Sequence, residues 1–283
     1  MTKVLVTGAG GYVGRHVVQR LAELGIPTAA VDLQVPQAPL DGVSYRAMDI
    51  LGSACEVSAL FDEGIPDVCI HLAWRNGFKH DDATHMLDLS AHYRFLMELV
   101  AAGVPRLAAM GTMHEVGYWE GAITENTPCN PLSLYGIAKD SLRRALLLDA
   151  SKGRFDLKWL RGFYIYGDDE QSQSIFGKLI RSARSGQATF PFTTGKNKYD
   201  FMTVQSLADM IVAASLQDSV SGIINCCTGR PMSLADKVEE FIAENGLDIK
   251  LEYGAYPDRP YDSPGVWGDA SRIETILRGA ACP

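Results

Sequence analysis

The chain has no Cys-x-x-Cys spacing among its six cysteines, no surplus of basic residues, no internal repeat or low-complexity tract, and no long linker. Each absence excludes something. Scattered cysteines, with the adjacent Cys226 and Cys227 inside an apolar run, suit reduced thiols in a core and imply neither zinc nor disulfides. With 34 acidic against 26 basic residues the formal charge is -8. That balance argues against nucleic acid as a partner, although a local cluster of arginine and lysine still holds an anionic small molecule. The opening "MTKVLVTGAGGYVG" carries one lysine and then an apolar run broken by glycines, the pattern of neither a signal peptide nor a spanning helix. A cytoplasmic protein without membrane attachment is expected. "TTGKNK" around Gly195 is not a phosphate loop, because Asn197 follows the lysine where Ser or Thr is required.

What is present is core material. Of 283 residues, 47% are apolar and 21% charged, enough for one large domain or two closely joined ones and incompatible with disorder. "KVLVTG", "PTAAVD", "VSYRAMD", "PDVCIHLA" and "RLAAMG" read as strands, separated by segments such as Val13 to Leu24 and Thr84 to Ala102 with apolar residues at spacings of three and four. Alternating strand and helix predicts a Rossmann-type α/β fold, a doubly wound parallel sheet covered on both faces. After "LKWLRGFYIYG" the order loosens into shorter strands and helices near Ser206 to Leu216 and Ser233 to Glu244, expected to form a smaller α/β lobe for substrate. The reading divides the chain at 1–165 and 166–283, with a soft, interleaved boundary.

In "VLVTGAGGYVGRHVV", Gly8, Gly11 and Gly14 stand three apart, directly after an apolar strand and directly before an amphipathic helix. Glycines there let the backbone turn tightly and approach a pyrophosphate, while the helix N-terminus offers unpaired N–H groups and positive dipole. Alone, such a pattern also occurs in ordinary tight turns. The next strand, however, ends at Asp32, about twenty residues on, where a carboxylate accepts both ribose hydroxyls of an adenosine. No arginine follows in "DLQVPQAP", which favours NAD over NADP.

Farther along, "SLYGIAKDSL" places Tyr135 and Lys139 four apart, on one face of any helix they occupy. Together with "TGAGGYVG", "HLA" (His71 to Ala73) ending the fourth strand and Thr112 ending the fifth, this "YGIAK" resembles the extended short-chain dehydrogenase/reductases, the nucleotide-sugar epimerase/dehydratase family. "LRGFYIYG", "YDFMTV" and "DRPYDSPGVWGDASR" are similar to later motifs of the same family, so the likeness runs almost end to end. The resemblance implies that Tyr135 exchanges a proton with a substrate carbonyl or hydroxyl while the nicotinamide exchanges the hydride, that Thr112 hydrogen-bonds the reacting oxygen, and that Lys139 holds the ribose. It assigns cofactor contacts to Gly8, Gly10, Gly11, Tyr12, Val13, Gly14, Asp32, Asp49, Ile50, Leu72, Ala73 and Trp74, besides Tyr135 and Lys139. An ammonium one helical turn away and a positive nicotinamide ring are expected to draw the phenol down from its ordinary pKa of ~10 toward working pH.

Departures from the family pattern narrow the reaction. Family dehydratases carry an Asp-Glu pair after the threonine, where this chain has Met113 and His114, so dehydration is not expected. Tyr164 and Tyr199 replace an asparagine and an arginine near the diphosphate, and Lys196 or Lys198 is expected to restore the lost cation beside Arg259 and Asp262. With Arg75 and Trp74 at the mouth of the site, and Met113 and His114 beside the reacting carbon, these residues make up the expected substrate contacts. His85, Asp88 and His92 lie at helical spacing and are read as a polar helix face rather than a metal site. Leu89, His92 and Tyr93 replace the asparagine and glycine-threonine pair usual in that helix, whose apolar side is expected to meet a second subunit in a homodimer.

The expected activity is therefore an NAD-dependent oxidoreduction at C4 of a nucleotide-linked hexose, most simply reduction of a dTDP-4-keto-6-deoxyhexose, with no metal. A 4-epimerase uses the same residues and is the alternative enzyme. A non-catalytic dinucleotide sensor has no need of the tyrosine and lysine, and the intact "YGIAK" argues against it.

Overall fold

The computed structural model describes residues 2–53, 55–61, 64–167, 174–258 and 262–280. Strands β1 (Val4–Thr7), β2 (Thr28–Asp32), β3 (Val43–Ala47), β4 (Val68–His71) and β5 (Arg106–Thr112) alternate with α1 (Gly14–Glu23) and, after β4, with α2 (Thr84–Leu87) and α3 (Leu89–Ala101). There follow β6 (Gly121–Ile123), α4 (Leu134–Ala150), β7 (Asp156–Gly162), β8 (Tyr164–Tyr166), α5 (Ile175–Arg184), β9 (Thr189–Pro191), β10 (Lys198–Thr203) and α6 (Val204–Leu216). The last elements are β11 (Gly222–Cys226), β12 (Pro231–Ser233), α7 (Leu234–Glu244), β13 (Lys250–Glu252), β14 (Gly265–Gly268) and α8 (Ser271–Ala280).

Seven strands form one parallel sheet in the order β3-β2-β1-β4-β5-β7-β11. β1 and β4 are buried along their whole length, as continuous apolar runs covered on both faces must be. One face carries α1, α6 and α8, whose Val17, Leu21, Leu207, Ile211 and Ile273 share a core with Val6 and Ile70. The other carries α3 and α4, whose Phe95, Leu99, Leu142 and Leu146 pack with Leu5, Cys69 and Leu107. The strand order reverses between β1 and β4, and in such sheets ligands bind beyond the carboxyl ends at that reversal. Thr7, Gly8 and His71 therefore stand at the crevice.

A second sheet runs β12-β10-β14-β6, with β8 also paired to β10. β6, from the first half of the chain, belongs to this sheet, and β11, from the second half, closes the edge of the large one. α5, α7 and the β9-β13 pair enclose a third small core around Phe176, Phe192, Val238 and Phe241. One expected element is divided: the segment Thr84 to Ala102 is two helices, separated at Asp88. Asp88 keeps helical dihedrals, but its carboxylate is taken by the Arg75 guanidinium, which ties the junction to the loop after β4.

The end of β5 is packed without slack. A Cβ on Gly111 would lie 2.7 Å from Glu115 Oε1 and overlap the Trp159 indole nitrogen. Gly111→Ala is accordingly expected to lower stability by about 1–3 kcal/mol through overpacking. The urea midpoint should fall at unchanged slope; a wild-type midpoint would mean that this end of the strand repacks freely.

Candidate active site

The turn after β1 is built to bring backbones together. Gly8 has φ +70, and a Cβ there would lie 2.5 Å from Ala73 N, so only glycine lets the β1 turn meet the end of β4. Gly14 abuts the Gly8 carbonyl with no room for a Cβ, and Gly11 N donates to Gly8 O at 3.1 Å. α1 opens from this turn with no acidic side chain in its first turn and no side-chain cap, so no carboxylate competes with an anion for its positive end, although Arg15 N and His16 N already donate to Gly11 O and Val13 O. Asp32, at the end of β2, accepts the N–H groups of Gly10 at 2.8 Å and Leu33 at 2.7 Å. Glycines without room for a side chain, an open helix terminus and a carboxylate beside them fit a dinucleotide with a free ribose diol. Tyr12 and Val13 flank the turn, both half-buried, with Arg15 over the Tyr12 ring at 5.3 Å. Leu72 N donates to Thr7 O, placing Leu72 and Ala73 across the crevice. Ile50 is buried and Asp49 exposed beyond β3, its carboxylate taking Leu51 N.

Thr112, Tyr135 and Lys139 come together at the end of β5. Ser133 caps α4 by accepting Gly136 N at 3.2 Å, which starts the helix just before Tyr135. Tyr135 N donates to His80 O at 2.8 Å. The Tyr135 hydroxyl hydrogen-bonds Thr112, an effect that lowers its pKa, but burial is stronger and Glu115 adds to it, so the phenol is pushed up to about 12. Lys139 is 3% exposed. Its ammonium donates to Met110 O at 2.6 Å and lies 3.7 Å from the centre of the Trp74 ring. Burial pulls it down to about 7, against the opposing pull of Glu115. The expected lowering of the tyrosine by its neighbouring lysine is thus corrected in the ligand-free protein: Lys139 is occupied by a carbonyl and an indole, and burial decides both groups.

Sequence reasoning missed two features of this centre. One is Glu115, fully buried three residues after Thr112. Its carboxylate accepts Thr112 N at 2.7 Å and Trp159 Nε1 at 3.0 Å, and it faces Arg143 at 3.4 Å and Arg161 at 3.5 Å. With the Thr112 hydroxyl accepting His114 N at 3.3 Å, this forms a capping box that fixes the strand end. The other is the histidines. Five of the six lie between residues 71 and 114, and that crowding along the chain was the available signal. His71 Nδ1 meets Thr7 Oγ1 at 2.8 Å and its Nε2 meets His92 Nδ1 at 3.0 Å. His92 stacks on Trp74 at 4.3 Å, and Trp74 Nε1 donates to His85 Nδ1 at 3.0 Å. His80 stacks on Tyr135 at 5.1 Å and meets His114 edge-on at 4.4 Å.

The expected substrate contacts are placed less uniformly. Met113 and His114 follow Thr112 directly, Met113 buried and His114 half-buried with its pKa lowered to about 4 by burial. Arg75 is engaged by Asp88 in a bidentate pair. Tyr164 and Tyr199 pack ring against ring at a tilt, 4.2 Å between centres, and Tyr199 belongs to the core beneath β10. Lys198 is exposed on β10 and Asp262 half-buried before β14. Arg259 lies outside the described residues. A cavity of about 830 Å³ opens instead beside α5 and β9, lined by Lys178, Arg181, Phe190, Thr193 and Tyr256 among others. None of the expected substrate contacts among the described residues lines it. Its cations stand three apart in "IFGKLIRSARSG", a spacing legible as one helix face but not as a site.

The model of the NAD dependent epimerase/dehydratase family matches residues 4–227. The chain is 41% identical over 268 residues, 94% of its length and 98% of the other's, to dTDP-6-deoxy-L-talose 4-dehydrogenase (NAD(+)) of Aggregatibacter actinomycetemcomitans. It is 27% identical over 321 residues, 99% of its length and 78% of the other's, to a probable UDP-arabinose 4-epimerase 3 of Oryza sativa subsp. japonica. Among solved structures, MoeE5 in complex with UDP-glucuronic acid and NAD superposes with TM-score 0.81 at 25% identity, covering 98% of this chain and 92% of that one.

The lysine carries a measurable consequence. In the folded, ligand-free chain the Lys139 amine gives up its proton near about 7; in the unfolded chain it does so near its ordinary ~10.4. Between those values the unfolded state holds one proton more, so folding stability rises with pH on account of this group. Wild-type stability, measured against Lys139→Met in urea, should therefore rise from pH ~6.5 to pH ~9. A difference independent of pH would show that the buried amine is not depressed.

Proposed function

The chain belongs to the NAD dependent epimerase/dehydratase family, and from that membership we propose that it is an NAD-dependent oxidoreductase acting at C4 of a nucleotide-activated hexose, reducing a 4-keto-6-deoxy sugar such as a dTDP-4-keto-6-deoxyhexose. The observation that carries this reading is the meeting of Thr112, Tyr135 and Lys139 at the carboxyl end of β5, beside the glycine turn. The NAD dependence and sugar chemistry in the name of the 41%-identical relative support it.

The glycine turn from Gly8 to Gly14 and the N-terminus of α1 would hold the pyrophosphate, and Asp32 the adenosine ribose, without a basic neighbour for a 2'-phosphate. NADH, when bound, supplies the hydride that reduces C4. Tyr135 gives its phenolic proton to the C4 oxygen, and Thr112 holds that oxygen by hydrogen bond. A phenol kept protonated by burial is the form that reduction consumes. Lys139 is kept beside the tyrosine by Met110 O and Trp74 and would hold the nicotinamide ribose. Met113, at a position where dehydratases of the family carry an acid, has no proton to give, so elimination of water has no catalyst there.

His114 contacts the sugar, and the basic cavity beside α5, with Lys178 and Arg181 in its wall, takes the nucleotide; Lys198, Arg259 and Asp262 are the diphosphate contacts that the family pattern suggests. The second sheet with α5 and α7 is the substrate lobe, and 1–165 the cofactor domain, interleaved through β6 and β11. A homodimer built on α2, α3 and α4 would cover Leu87 and Leu148, 74% and 64% exposed. No helix among the described residues is long and apolar enough to cross a membrane, and the cytoplasm is the proposed location. A 4-epimerase would use the same residues and return the hydride to the opposite face.

Incubation with a panel of nucleotide sugars and NADH separates these outcomes: net loss of nicotinamide absorbance marks a reductase, and product without net turnover marks an epimerase. Tyr135→Phe should lower kcat roughly a hundredfold or more and leave NADH affinity nearly unchanged. Retained turnover would remove Tyr135 from the chemistry. NAD(H) should bind at least about tenfold more tightly than NADP(H), with Asp32→Ala eroding the preference; equal affinities in calorimetry would refute the assignment of Asp32.

A further inference from the structure

The five histidines around Tyr135 divide by what their nitrogens do. His71 has both nitrogens engaged, by Thr7 and His92, and His92 has its Nδ1 engaged by His71. His85 accepts from Trp74 on Nδ1 and donates from Nε2 to Lys79 O at 2.9 Å. These three are structural. His80 and His114 differ: among the described residues, no side-chain hydrogen bond holds either imidazole. Both rings are half-buried and both border Tyr135, at 5.1 Å and 6.2 Å between ring centres. Neither ring has a nitrogen among the fully buried unpartnered atoms of the described residues, so both present donors and acceptors that a ligand hydroxyl can take over from water.

We propose that His80 and His114 form a clamp for ring hydroxyl groups of the sugar, next to the carbon that exchanges the hydride; this rests on the functional reading above and assigns His80, which the family pattern does not, to substrate. The chemistry of the pair selects the ligand class. A neutral imidazole is at once donor and acceptor, as a sugar hydroxyl is, whereas a phosphate calls for cations. Burial lowers the pKa of both rings, which keeps them neutral.

The loop that presents His80 is fixed on both sides of it. Lys79 O is held by His85 Nε2 at 2.9 Å, and His80 O by Tyr135 N at 2.8 Å. The loop enters through Asn76, a left-handed residue at φ 56 whose carbonyl accepts Lys79 N at 2.7 Å. The ring is thereby seated against Tyr135 before any ligand arrives, and a preorganised polar group discriminates more sharply than a mobile one. A site built to hydrogen-bond a hydroxyl rejects the analogue that lacks it.

The test compares kcat/KM for a 4-keto nucleotide sugar with that for its 2-deoxy and 3-deoxy analogues, in wild type, His80→Phe, His114→Phe and His80→Gln. Phenylalanine keeps the ring contact with Tyr135 and removes both nitrogens; glutamine restores a donor and an acceptor. Wild type should prefer the hydroxylated sugar over one of the analogues by about tenfold or more, and the phenylalanine variants should reduce that preference to within about threefold. His80→Gln should recover part of it, while NADH affinity and Tm stay at wild-type values in all variants. An equal preference in wild type and both phenylalanine variants overturns the clamp and leaves the activity standing. Wild type without turnover on any nucleotide sugar overturns the functional reading and the clamp with it.

Discussion

A carboxylate withdrawn from water must be matched by its neighbours, and Glu115 is matched by four of them. Left alone, such a charge would cost several kcal/mol, about 3–5 where one partner of a buried pair is removed. Here the partners come from separate elements: Thr112 N at the end of β5, the indole of Trp159 and the guanidinium of Arg161 on β7, and Arg143 on α4. Arg161 extends the network to Thr124 O and Asn225 on β11. The charge can be satisfied only when β5, β7 and α4 stand in one relation. That relation is also the one that brings Tyr135, two turns before Arg143 on the same helix, to the Thr112 hydroxyl. The site is assembled by the need to neutralise a residue that takes no part in the proton transfer.

The same burial sets the protonation of the centre. Tyr135 and Lys139 both lose water, which favours the neutral phenol and the neutral amine, and Glu115 pulls both upward in pKa. For the lysine the two effects oppose each other; for the tyrosine they add. The phenol is therefore protonated at neutral pH, the form that reduction of a carbonyl starts from, while its raised pKa makes it a weaker acid than a free tyrosine. Trp74 contributes by covering the ammonium that Met110 O already holds, and His92, where the family has glycine, stacks on the indole.

The parts of this arrangement legible in the sequence are those whose signal is local. The glycine turn, Asp32 at a strand end and the Tyr-Lys spacing each follow from a period or an offset, and each is found where the pattern put it. Glu115 was not legible, because a glutamate after "TMH" looks like any surface acid until the fold closes two arginines and a tryptophan over it. His80 sits in a loop without periodicity, and nothing in its neighbours announces that its carbonyl will cap Tyr135 N. The division of one long helix at Asp88 was hidden for a related reason: the apolar spacing continues across it, and only the arginine thirteen residues earlier reveals the tie.

Replacing an asparagine and an arginine of the family pattern by Tyr164 and Tyr199 changes what that corner of the molecule can do. The two rings meet each other and Phe201 at tilted or edge-on angles, and Phe201 meets Phe176 of α5, which in turn meets Phe241 of α7. An aromatic ladder thus runs from β8 and β10 of the second sheet into the small third core, starting where the family places polar anchors for an anion. Offset and edge-to-face aromatic pairs add about 0.5–1.5 kcal/mol each beyond the area they bury, so the exchange stiffens the packing of the second sheet against α5 and α7. It also removes a fixed cation from the crevice. The basic side chains that line the cavity beside α5 are Lys178 and Arg181, carried by the helix that the ladder braces through Phe176. Stiffness and charge are coupled by that helix: the aromatics that stand in place of polar residues brace the element that presents Lys178 and Arg181.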